Sequence, residues 1–285
     1  RLIKNDFEKK HIYTKSIFVD LNNDGFDDIA AFDVQYNQLK FFYNKGNGEF
    51  YFVRSFQLNN SISSLHSFDF NLDRYDDIIF TFENYIYVLY SDSIASFNNQ
   101  IIIKTKYNID KIVLRDFNKD GKIDISYLNK KNSAVSVLFQ RIENNFYDEI
   151  NYLKKENLTD IIPFSSRFVD GLMALSRNGK VYFISTLSYL GNYSKIAFGD
   201  EPATITHFDF NYDGMTDIAY VDKLSKALKL IIRNQNGIPS LYYSFFVYDN
   251  FSKIIPFNKK NNSSSVNITS RFGGFLLYNY NDNKF

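Results

Sequence analysis

DLNNDGFDDI, residues 20–29, decides the fold because it returns. DFNLDRYDDI stands at 69–78, DFNKDGKIDI at 116–125 and DFNYDGMTDI at 209–218. The starts lie 49, 47 and 93 residues apart, and 93 is close to twice 47. That period places further copies near 163 and 256. There the chain reads IIPFSSR at 161–167 and IIPFNKK at 254–260, two acid-free segments that resemble each other. Six units therefore start near 20, 69, 116, 163, 209 and 256. A fixed period of this size is the sequence signature of a repeat architecture.

Each unit has one grammar. A short apolar strand enters the acidic loop, as in SIFVD at 16–20 or HSFDF at 66–70. A second strand leaves it: IAAF at 29–32, IIFTF at 78–82, ISYL at 125–128 and IAYV at 218–221. A third follows a polar turn, as in LKFFY at 39–43, YIYVLY at 85–90, AVSVLF at 134–139, KVYFI at 180–184 and ALKLII at 227–232. A fourth follows an Asn/Gly turn, as in NKGNGEFYFV at 44–53. Short aromatic and β-branched runs bounded by Gly, Asn and Asp read as strands and hairpins. Four strands per unit is the arithmetic of a propeller blade. The expectation is an all-β chain, a six-bladed β-propeller of four-stranded antiparallel blades forming a single domain over 1–285.

Composition agrees. The chain holds 30 Phe and 22 Tyr, residues that suit pleated, half-buried surfaces. Cysteine is absent, which removes disulfides and thiolate-bound metals. No apolar run approaches the ~20 residues that span a bilayer, so the chain is expected not to cross one by a helix. The first residues, RLIKNDFEKKHIY, do not begin with Met and carry no apolar signal core.

The D-x-N-x-D-G-x-x-D-Ile pattern and the later G-N-G-x-F turn at 46–50 resemble the FG-GAP/VCBS repeats of integrin α-subunit propellers and many bacterial surface proteins. The resemblance runs over the whole chain, strongly in four units and weakly near 163 and 256. It implies a propeller and calcium in the loops. It does not imply one activity, because a fold hosts many functions.

The loop residues themselves suit calcium, a hard cation that takes oxygen ligands. In the first loop these are the side chains of Asp20, Asn22, Asp24 and Asp28 with the carbonyl of Phe26. The equivalents are Asp69, Asn71, Asp73, Tyr75 and Asp77; Asp116, Asn118, Asp120, Lys122 and Asp124; Asp209, Asn211, Asp213, Met215 and Asp217. Gly25 permits the tight bend, and Arg74 replaces that glycine in the second unit, which predicts strain there. An EF-hand would put an acid at loop position 12; here that position is Ala31, Phe80, Tyr127 or Tyr220. Three to four structural calcium ions are expected. Few-carboxylate surface loops suit calcium-rich fluid, so an extracellular, cell-surface or periplasmic setting follows.

The 32 acidic and 33 basic residues hide an asymmetry. Fourteen acids sit in the four loops, leaving 18 acidic against 33 basic elsewhere, and four calcium ions would take the formal charge from +1 to +9. A basic remainder favours anionic partners such as acidic glycans or acidic proteins. Nucleic acid is not expected, since no recognised nucleic-acid module is present.

No nucleophile motif, phosphate loop or His-rich site appears, and no catalytic residue is assigned. His66 and His207 precede acidic loops, where packing is the simpler role. The reading is a protein-binding, structural or adhesion module. The alternative is a lectin-like propeller; a lectin's pockets should recur from blade to blade, and no polar-aromatic set recurs in the turns.

Two expectations concern the weak units. Arg167 and Lys260 occupy loop position 5, where the other loops have Asp, and a side-chain cation there would replace metal charge. The last unit also has only 30 residues before Phe285 and lacks a fourth strand. Residues within 1–13 are therefore expected to supply it beside 274–280, closing the ring and hiding an edge.

Overall fold

The computed structural model describes residues 11–92, 96–142, 145–154, 157–165, 170–177, 180–186, 193–197, 202–211, 213, 216–222, 224–233, 239–246, 251–259, 263–270 and 275–280. Among them there is no helix, and every paired strand is antiparallel. The first sheet is β1 (Tyr13–Val19), β2 (Asp28–Asp33), β3 (Gln38–Asn44) and β4 (Phe50–Gln57). The second is β5 (Ser64–Phe68), β6 (Asp77–Phe82), β7 (Tyr85–Tyr90) and β8 (Asn99–Lys104). The third takes β9 (Lys111–Arg115), β10 (Asp124–Asn129) and β11 (Ala134–Leu138). A small hairpin intervenes, β12 (Gln140–Ile142) with β13 (Asn145–Phe146), before β14 (Ile150–Leu153) completes that sheet beside β11. The fourth is β15 (Leu158–Ser165), β16 (Asp170–Ser176), β17 (Lys180–Ser185) and β18 (Tyr193–Ala197). The fifth is β19 (Pro202–Phe208), β20 (Asp217–Asp222), β21 (Ala227–Arg233) and β22 (Pro239–Phe246). The sixth has three strands, β23 (Phe251–Lys259), β24 (Ser263–Ser270) and β25 (Phe275–Tyr280).

The chain divides into two compact units, Arg1–Asp110 with Gln140–Tyr147, and Lys111–Phe139 with Asp148–Phe285. In the first, the second strand of each sheet is apolar on both faces because both are covered. β2 and β6 are buried almost throughout, which explains their continuous DIAAF and DIIFTF runs. β4 is an edge strand, and its residues are exposed or only half-buried. The core joins Phe32, Leu39 and Phe41 of the first sheet to Ile78, Phe80 and Leu89 of the second. Phe41 stacks on Phe97 at 4.6 Å between ring centroids.

In the second unit, Phe117, Val137 and Phe139 pack with Leu172, Ala174 and Tyr182. A further cluster joins Phe164 and Met173 to Ile205, Ile218 and Tyr220. Each first strand pairs with its second across the acidic loop, as in Phe18↔Ile29 and His207↔Ile218, so all four loops open the same step of a four-stranded meander.

Two sequence expectations meet these facts differently. Residues 1–10 lie outside the described residues. Ile12 and Tyr13 belong to the first sheet, where the Val34 N–H donates to the Ile12 carbonyl and Tyr13 pairs with Asp33. The rest of the segment expected to close the sixth sheet, and the start of 274–280 opposite it, lie outside the described residues. Arg167 and Lys260 also lie outside the described residues. The hairpin at 140–146 was not foreseen: QRIENNFY carries little apolar signal.

Candidate functional site: the acidic loops

The first carboxylate folds each loop. Asp20 Oδ1 accepts the Asp24 N–H at 3.1 Å and its Oδ2 the Gly25 N–H at 2.8 Å. Asp69 does the same for Asp73 and Arg74, and Asp116 for Asp120 and Gly121. Asp209 accepts the Asp213 N–H at 3.1 Å; Gly214 and Met215 lie outside the described residues. Position 3 braces position 5: the amides of Asn22, Asn71 and Asn211 donate to Asp24, Asp73 and Asp213. In the third loop Asn118 also bonds Asp120, and the Lys122 ammonium joins it, 2.9 Å from Asp120 Oδ2. Burial pushes Asp120 upward, but the Lys122 bonds and charge prevail and hold it below the usual carboxylate range.

The turn uses left-handed backbone twice. Position 6 has φ of 86° at Gly25 and 81° at Gly121, and Arg74 adopts 78°. Position 4 is left-handed at Asn23, Leu72 and Lys119. The strain expected at Arg74 is thus present, and the loop keeps its hydrogen bonds despite it.

Position 9 differs from the sequence reading. Asp28, Asp77, Asp124 and Asp217 are all fully buried. One oxygen of each accepts the N–H of loop position 2, from Leu21, Phe70, Phe117 and Phe210 at 2.9–3.0 Å. The other oxygen reaches the end of the third strand, accepting N–H from Asn44, Ser91 and Arg233 in the first, second and fifth sheets. Position 9 is therefore a strut between loop and sheet as well as a candidate ligand.

Burial pushes Asp77 and Asp217 up to about 7, against the backbone bonds, and the neighbouring loop acids push the same way. Asp28 and Asp76 are raised too; for Asp76 the causes are burial, then Asp69 and Asp20, so the first two loops feel each other. This excess negative field is what a bound cation would relieve. The donors are all oxygen, and a carboxylate oxygen that accepts one N–H keeps a further lone pair. The residues fit a hard divalent cation such as calcium. Among the described residues no three acidic or histidine side chains form a ready metal cluster. Position 3 is Asn in every loop, and the four position-9 carboxylates are occupied by backbone donors.

A second set of charges escaped the sequence reading. At the other end of β2, buried Asp33 lies 3.2 Å from the Lys40 ammonium and 2.6 Å from His11 Nδ1. Burial pushes Asp33 up, but these partners outweigh it and hold its carboxyl below the ordinary value. Asp222 and Lys229 repeat the pair in the fifth sheet, 3.5 Å apart. The signal was an Asp closing the second strand with a Lys seven residues on.

Successive four-stranded meanders, four of them opened by one acidic loop, define a repeat protein built from propeller-type blades. A model of the FG-GAP-like repeat matches residues 20–80, which span the first acidic loop through the second. The fold is similar to two crystal structures of BBS1N in complex with ARL6DN. The one soaked with mercury has 12% identity and a TM-score of 0.64, covering 94% of this chain and 78% of the other. The one soaked with lead has 12% identity and a TM-score of 0.65, covering 94% and 79%. At that identity the likeness carries the β-propeller fold alone. No curated protein matches the chain.

Proposed function

We propose that the chain is a non-catalytic protein-interaction module: a single six-bladed propeller braced by three to four calcium ions and working outside the cytosol. The observation that carries it lies at the acidic-loop end of the first two blades. Phe18, Phe26 and Leu72 are 68%, 47% and 55% exposed there, among loops whose negative charge calcium would cancel. Exposed aromatic and aliphatic groups beside neutralised charge suit a protein partner. Similarity to BBS1N, which was crystallised with ARL6DN, supports the same reading. Weak, exposed loops fill only where calcium is plentiful, which favours an extracellular, cell-surface or periplasmic site.

The test has two arms. Metal analysis and calorimetry of the purified chain should find three to four calcium ions, and excess EGTA should lower its melting temperature, because ligand bound only by the native state stabilises it. Cross-linking in the producing cells should capture one protein partner with the native chain and lose it with Phe26→Ser/Leu72→Ser. An unchanged melting curve would overturn the calcium brace; cross-links unaffected by the variant would overturn the docking end.

A further inference from the structure

We propose that the first unit holds a binding pocket for one neutral sugar ring, between its first two blades and distinct from the acidic loops. A cavity of about 240 Å³ opens there. One wall is a face of the second sheet. The pairings Phe80↔Tyr87, Phe82↔Tyr85 and Tyr87↔Ile102 put Phe80, Phe82, Tyr87 and Ile102 on a common side. Phe80 and Tyr87 stack at 4.8 Å with only 4° between their planes, and Ile102 is 55% exposed. The opposite wall is the stretch 57–62 that links the two sheets.

That linking wall is held in place. The Gln57 amide donates to the carbonyls of Tyr36, Asn37 and Leu58, and its oxygen accepts from Gln38. The Leu58 N–H donates to the Asn37 carbonyl, and the Ser63 N–H to the Thr81 carbonyl. Gln57 is thus spent on structure. Asn59, Asn60 and Gln100 line the pocket too, and none of their amides has a hydrogen-bond partner among the described residues. The Tyr87 hydroxyl is in the same state.

These features select a ligand class. In a chain with 65 charged residues, no charged side chain lines this cavity. An ionic ligand would find no counter-charge, and a hydrocarbon would make no use of the three solvent-exposed amides at the rim. A pyranose fits both demands: its C–H face lies on aromatic carbon, and each hydroxyl can donate to and accept from an amide. The volume lies below the ~300 Å³ at which drug-sized sites begin, so one ring enters and a chain would extend outward. Such a pocket need not recur, since Asn59, Asn60 and Gln100 belong to one junction only.

Saturation-transfer NMR on the full chain, with the methyl glycosides of glucose, galactose, mannose and N-acetylglucosamine as probes, tests this. At least one should bind with a dissociation constant of about 1–10 mM, as expected of so small a ligand. Gln100→Ala and Asn60→Ala, both surface changes that leave the core intact, should each weaken binding about tenfold. No binding by any neutral glycoside would overturn the proposal. So would unchanged binding in both variants, or stronger binding of glucuronate than of glucose. Chelating calcium should leave the signal in place at temperatures where the chain stays folded, which separates this pocket from the loops.

Discussion

Asp77 accepts the backbone N–H of Ser91 at 2.8 Å, tying the second acidic loop to the end of β7. Its other oxygen holds the Phe70 N–H at 2.9 Å. Asp77→Asn keeps one acceptor and turns an NH₂ toward the other donor, leaving a buried N–H unmatched. The loss should be about 1–3 kcal/mol in urea unfolding. Ser91→Ala leaves that backbone bond intact and should cost far less; equal losses in the two variants would refute the strut.

Arg74 bears backbone strain that Gly25 and Gly121 do not, at φ of 78° against 86° and 81°. Arg74→Gly should raise stability, and Gly121→Ala should lower it, each by about 1 kcal/mol. Thermal or urea unfolding of the two variants reads both signs. A loss of stability in Arg74→Gly would show that the arginine side chain outweighs its backbone cost.

Lys40 is the charged partner of fully buried Asp33. Lys40→Met leaves that carboxylate without its ammonium and should cost about 3–5 kcal/mol. Replacing both groups, as Asp33→Leu with Lys40→Met, should recover part of the loss, because no unpaired buried carboxylate remains while His11 and the Gln35 N–H lose their acceptor. A double-mutant cycle on unfolding midpoints measures the coupling.

Stability should also depend on pH in a way calcium alters. Asp77 and Asp217 titrate at about 7 in the folded chain, above their unfolded value of 3.8. The native state then binds more protons between those limits, so the stability they contribute is present in acid and lost as pH rises through about 7. His207 acts in the opposite sense: burial, then Arg115 and Lys111, lower it to about 4 from 6.5. Its contribution is present above about 6.5 and lost as pH falls toward 4. In chelator, the melting temperature should therefore fall from about pH 6.5 to about pH 8, where the two carboxylates outweigh the remaining titration of His207 in the unfolded chain. Saturating calcium should flatten that slope, since a cation favours the ionised loops. A slope that survives calcium would separate these carboxylates from metal binding.

The strands that leave the acidic loops were legible because one short run carries both signals: Asp for the loop end, then Ile and aromatics for a strand covered on both faces. KVYFI and YIYVLY were legible from their aromatic and β-branched runs alone and became β17 and β7. The strut at position 9 was not. Its far partners are backbone groups of Asn44, Ser91 and Arg233, and a backbone N–H leaves no mark on residue type. The uncharged pocket was equally hidden, since it is assembled from the end of β4, the link to β5 and three strands of the next sheet. The Asp33–Lys40 and Asp222–Lys229 pairs leave a mark in the sequence, a repeated spacing of seven, although each is a single acid at a strand end rather than part of a cluster.

Pairing of strands that are close along the chain also has a kinetic consequence. Tyr13 opposes Asp33 and Gln38 opposes Gln57, so each ladder closes only about 20 residues of chain, a small entropic cost. Contact order stays low for an all-β chain, and short closures fold early. A ribosome takes about 2–10 s to release one 47-residue repeat, whereas a hairpin forms in about 1–10 μs. Each sheet can therefore assemble as it emerges, before the next repeat has left the ribosome.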